Sequence, residues 1–162
     1  MELPVGALTS AAFGDFGQVL EAPAGDEGLD IGTGVFWDGV LPTGGDGGAA
    51  GLIRYRPRDL RIHRMERHSQ SGQTFVSLSP SGALLVVAPD ADGTPDLEGL
   101  ALFSVVAGAG FRLEPGTWHA SPFPLGSRAH RFLVLMREGT ITEGTDWHEM
   151  EPPITLEPVW GP

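Results

Sequence analysis

From Leu52 onward the chain is cut into apolar runs too short for ordinary helices. The runs Leu52–Tyr55, Leu60–Glu66, Gln73–Leu78, Ala83–Ala88, Leu100–Val106, Gly110–Leu113 and Arg131–Arg137 are bounded by Gly, Pro, Asp or Ser. Short apolar segments between turn formers read as strands. Ser79-Pro80-Ser81-Gly82 is a tight connection and 89–96 a longer one. The 24 Gly and 14 Pro residues supply turns throughout, since Gly and Pro are the commonest turn formers. Regularly spaced short strands predict an all-β sandwich or barrel, and 162 residues suit one domain over 1–162. One short helix is expected at 9–13, capped by Thr9 or Ser10, followed by an extended segment from Gly17. Residues 22–51 read as loop, flexible at Gly44–Gly48, with Val35-Phe36-Trp37 as an edge strand. The tail from Thr142 shows few strand runs, with Trp147, Met150 and Trp160 available to dock it.

The formal charge of −11 disfavours nucleic acid and anionic membranes as partners. All ten basic residues other than His are Arg, which removes lysine Schiff-base and general-base chemistry. With no Cys there are no disulfides, thiolate metal sites or cysteine nucleophiles. The opening Met1-Glu2-Leu3-Pro4 has no signal-peptide pattern and no run approaches membrane-spanning length. The expectation is a cytoplasmic protein. Arg54, Arg56, Arg58, Arg61, Arg64 and Arg67 make a local basic stripe. It is read as a solvated face, with an anionic ligand as the rarer use.

Chemistry concentrates in Met65-Glu66-Arg67-His68, then Gln73, and again in Gly116-Thr117-Trp118-His119. Glu66 and His68 are two apart and share a strand face, with Arg67 on the other. Imidazole and carboxylate are metal ligands and, equally, acid/base groups near neutral pH. His119 is placed in a turn after Gly110–Leu113. His63, His130 and His148 are read as structural or surface residues.

The two segments resemble the two-part motif of the cupin superfamily, which implies a double-stranded β-helix, or jelly-roll, barrel. Glu66 and His68 take its two His positions, Gln73 its Glu position, Pro115-Gly116 stands in for PxG, and His119 matches the last His. The wider pattern resembles the ureidoglycolate lyases. Ala12-Phe13-Gly14-Asp15-Phe16-Gly17-Gln18-Val19, Arg54-Tyr55-Arg56-Pro57-Arg58, Met65–His68 with Gly72-Gln73-Thr74-Phe75, Val86–Pro89, Pro95–Leu97 and Gly116–His119 follow that family's order. Glu114 stands near the place of a family His, and Ala120 replaces the second His of its Trp-His-His block.

The resemblance implies cleavage of ureidoglycolate to glyoxylate and urea, a step of allantoin and purine breakdown, by a homodimer. It also implies a divalent metal (nickel, zinc, manganese or iron). The expected catalytic residues are His68, His119, Glu66 and Glu114, with Arg54, Gln73 and Trp118 binding substrate and His68, Gln73 and His119 as metal ligands. A cupin isomerase, epimerase or dioxygenase on another small hydroxy or keto acid is the alternative, or a cupin that binds a small ligand without turnover.

Overall fold

A computed structural model describes residues 1–21, 29–30, 35–36, 48–138, 140 and 144–161. The N-terminal half carries β1 (Glu2–Ala7), α1 (Ser10–Phe13), β2 (Gly17–Val19), β3 (Leu29–Asp30), β4 (Val35–Phe36), β5 (Gly48–Tyr55), β6 (Arg61–His68) and β7 (Gln73–Ser77). The rest carries β8 (Ala83–Ala88), β9 (Asp90–Ala91), β10 (Thr94–Pro95), β11 (Ala101–Val105), β12 (Gly110–Leu113), β13 (Trp118–Pro124), β14 (His130–Arg137), β15 (Thr145–Thr155) and β16 (Glu157–Trp160).

Two sheets make the body: β15-β6-β13-β8-β11-β1-β16, and β2-β12-β7-β14-β5. Phe75, Phe111, Leu113, Phe132 and Val134 of the smaller sheet meet Ala83, Leu85, Val87, Phe103 and Val105 of the larger one. This buried layer packs the two sheets of the all-β fold against each other. Strand alternation sends the other residues of β8, Leu84, Val86 and Ala88, to the opposite face. There they join a second buried cluster with Met65, Leu102, Trp118, Ala120, Phe123, Met150 and Leu156. The larger sheet is thus covered on both sides, which is why β8 reads as a continuous apolar run. No helix among the described residues is long and apolar enough to cross a membrane.

The short helix forms where expected, its Thr9 side chain accepting from the Ala12 amide at 3.3 Å. Three expectations need correction. Residues 118–124 form strand β13 rather than a turn, and the tail holds β15 and β16, the latter parallel to the N-terminal strand β1. Part of the expected loop at 22–51 is the start of β5; Val35 and Phe36 pair with Leu29 and Asp30, away from both main sheets. Trp37 and residues 44–47 lie outside the described residues.

Candidate active site

Register brings the sequence-predicted residues together. Glu66 on β6 lies opposite His119 on one side and Trp147 of β15 on the other, while His68 lies opposite Thr145. Directly opposed residues share a face, so His119, Glu66 and Trp147 form a row on the inner face of the larger sheet. The turn leading into β13 is fixed by Gly116, whose φ of 87° a side chain rarely adopts and whose amide donates to the His68 carbonyl at 3.0 Å. One imidazole segment is thereby tied to the other.

Glu66, His68 and Trp147 border a cavity of about 370 Å³, lined also by Gln73, Tyr55, Ser121 and apolar residues of β5, β7 and β14. That is the small end of ligand-sized pockets. The buried His119 lies beside Glu66 but does not line the cavity. The Glu66, His68 and His119 ligand atoms lie within 4.8 Å of one another, with His119 Nε2 3.6 Å from Glu66 Oε1.

Hydrogen bonds decide which imidazole nitrogens are bare. His119 Nδ1 lies 3.1 Å from the Thr117 carbonyl, which can only accept, so Nδ1 carries the proton. The Thr145 hydroxyl donates to the Thr140 carbonyl at 3.1 Å and therefore accepts from His68 Nδ1 at 3.0 Å. Both Nε2 atoms are left as lone pairs, buried and without a hydrogen-bond partner among the described residues, as is Gln73 Oε1. Burial pushes His119 down to about 4, the neighbouring His68 adding to the effect against the Thr117 carbonyl, and burial also lowers His68. Burial raises Glu66, opposed by the Arg64 charge.

Two bare imidazole nitrogens and a carboxylate, with the far nitrogens held by a carbonyl and a hydroxyl, are a donor set suited to a divalent metal. The orphaned Nε2 atoms would be its natural ligands. Neutral histidines at neutral pH serve either that role or acid/base work.

Other expected site residues lie elsewhere. Arg54 is exposed and does not line the cavity, since alternation along β5 turns Ile53 and Tyr55 inward instead. Glu114 is drawn to Arg112, 2.7 Å away, and is not among the lining residues. Arg112 itself packs against Gly72, where a Cβ would come within 2.5 Å of its guanidinium. Trp118 belongs to the opposite face: fully buried in the second cluster, it donates from Nε1 to Asp90 at 2.8 Å. There Arg67 binds Asp90 and, at 2.9 Å, Asp146, and lies over the Trp118 ring. This network clamps the neighbours of Glu66, His68, His119 and Trp147 from behind. Tyr55, Ser121 and Trp147 were not foreseen. Tyr55 was visible only as the end of the expected strand Leu52–Tyr55, and Trp147 only as a tail residue available for docking.

The ureidoglycolate lyase family model matches residues 1–157. The chain belongs to the ureidoglycolate lyase family. Curated relatives named ureidoglycolate lyase include one from Chelativorans sp. (strain BNC1), 32% identical over 150 residues covering 88% of this chain and 87% of the relative. Another from Rhizobium leguminosarum bv. trifolii (strain WSM2304) is 31% identical and covers 97% of each chain. Among solved structures, a dTDP sugar isomerase from Desulfovibrio desulfuricans G20 aligns over 82% of each chain at 16% identity and a TM-score of 0.44. At that distance the likeness speaks to neither substrate nor chemistry.

Proposed function

We propose that this ureidoglycolate lyase family member cleaves ureidoglycolate into glyoxylate and urea. The observation that carries the reading is the clustering of Glu66, His68 and His119, the first two lining the main cavity, in a chain matching the family model over 1–157. Gln73 Oε1, buried without a partner among the described residues, accepts a ureido N–H. Glu66, made more basic by burial, takes the carbinol hydroxyl proton. The C–O bond becomes the carbonyl of glyoxylate as the C–N bond breaks. The protonated Glu66 returns the same proton to the departing nitrogen, so urea leaves neutral and no covalent intermediate forms. His68 and His119 stay neutral, and their bare Nε2 atoms would hold a divalent metal. Such a metal, when bound, polarises the substrate oxygens. Apolar Ile53, Phe75, Val134 and Met136 limit water in the cavity.

The reading extends to a homodimer, as the family resemblance implies, working in the cytoplasm, as the cysteine-free composition suggests; sedimentation equilibrium tests the dimer. For the reaction itself, purified protein is given ureidoglycolate with and without added divalent metal, and glyoxylate and urea are measured separately. Equal release of both supports the reading. A folded protein that releases neither under any metal condition refutes it.

A further inference from the structure

The main cavity presents a difficulty for an acidic substrate: among the described residues its lining contains a carboxylate but no Arg. A second, smaller cavity of about 160 Å³ supplies what it lacks. It is lined by Arg58, Arg61, Ile62, His63, Arg64, Ala120, Ser121 and Phe123. Ser121 borders both spaces. Among the described residues β6 and β13 register only through Glu66 and His119, and β13 carries an irregularity between Ala120 and Phe123. The small cavity sits beside that irregularity.

Among the described residues four basic side chains and no carboxylate line this space, in a chain of formal charge −11. Two of the arginines are already positioned. Arg58 donates to the Pro122 carbonyl at 3.0 Å and to the Ser121 carbonyl, and lies 4.1 Å over the Phe123 ring. Arg64 lies 4.1 Å over the ring of Trp147, which itself lines the main cavity. Stacking on an aromatic face holds a guanidinium while leaving its in-plane N–H donors for a ligand. Glu149 faces Arg64 across the β15–β6 pair, yet no ion pair joins them. No carboxylate lies within ion-pair distance of Arg58, Arg61 or Arg64 among the described residues. By contrast, Arg67 and Arg112 of the described chain are both committed to carboxylates. Alternation places Arg64 on the Glu66 side of β6, and its charge acts on Glu66.

We propose that this cleft is the carboxylate-binding annex of the main cavity, with Arg64 the anchoring residue, Arg61 and His63 supporting it and Arg58 forming its fixed wall. The ligand class is a small acid whose carboxylate lies in the annex while its neutral end lies against Glu66, His68 and Gln73. The inference rests on the lyase reading for the identity of the acid, but not for the existence of the site. It also makes Arg64 a specificity-determining residue, since neutral analogues lose its bidentate interaction.

The test is calorimetric titration of glyoxylate into the purified chain, with and without chelator. The proteins are wild type, Arg64→Gln, the double variant Arg61→Gln/Arg64→Gln, and Arg128→Gln as an exposed control, each checked for folding by circular dichroism. The expected result is at least about tenfold weaker binding in Arg64→Gln and a larger loss in the double variant. The control should match wild type, binding should weaken as salt rises, and urea should show no dependence on Arg64. Glyoxylate binding that is undetectable in wild type, or equal in wild type and the folded double variant, overturns the proposal. Turnover of ureidoglycolate is scored separately. Arg64-dependent glyoxylate binding without turnover refutes the lyase reading alone. Turnover with Arg64-independent binding refutes the annex alone.

Discussion

The depressed histidines make stability depend on pH with a defined sign. His119 binds its proton near 6.5 when unfolded but only at about 4 when folded. As pH falls through that window, the unfolded chain takes up a proton that the native chain refuses. The contribution is fully present above about 6.5 and is lost progressively toward about 4. A displacement of that size is worth about 3 kcal/mol. His68 adds a loss of the same sign. Glu66 works the other way: its raised folded value lets the native state bind a proton first, offsetting part of the loss. Two histidines against one carboxylate leave a net destabilisation on acidification. Urea denaturation of chelator-treated protein, stepped from about pH 7 to about pH 4.5, reads it directly. His119→Gln should show a shallower fall. Equal slopes for wild type and His119→Gln would refute the assignment of a buried, neutral imidazole.

Further outcomes follow from the positions of single groups. Thr145→Val removes the hydroxyl that orients His68 Nδ1, and divalent-metal affinity measured by calorimetry should drop about 10–100-fold; unchanged affinity would mean that His68 is no ligand or needs no orientation. Gly116→Ala meets nothing within 4 Å of the new Cβ, so its cost is conformational alone, about 1 kcal/mol, or about 2–4 °C in melting temperature.

The resemblance carried by Met65–His68 and Gly116–His119 anticipated the all-β fold and the convergence of Glu66, His68 and His119 because strand periodicity alone places Glu66 and His68 on one face. What the sequence hid were strands interrupted by proline. β13 contains Pro122 and Pro124, and β15 contains Pro152 and Pro153 within a stretch where its register with β6 shifts. Prolines in a run argue against a strand unless a bulge or edge absorbs them, and here irregular pairing does so. Arg54 and Trp118 failed as cavity residues for a related reason: each neighbours an inward residue, Tyr55 or His119, and a one-residue step reverses the face. Glu114 is held instead by a local ion pair with Arg112, two residues earlier, as strand alternation allows. The annex arises from residues on separate strands around an irregularity in β13.

The most direct test of the central claim is the rate of glyoxylate release from ureidoglycolate by Glu66→Gln beside wild type, at equal folded concentration and with the metal content of both measured. A carboxylate that moves the proton predicts a fall of about 10²–10⁴ in kcat. A rate within about twofold of wild type would contradict the mechanism and return the proton transfer to another group at the cavity.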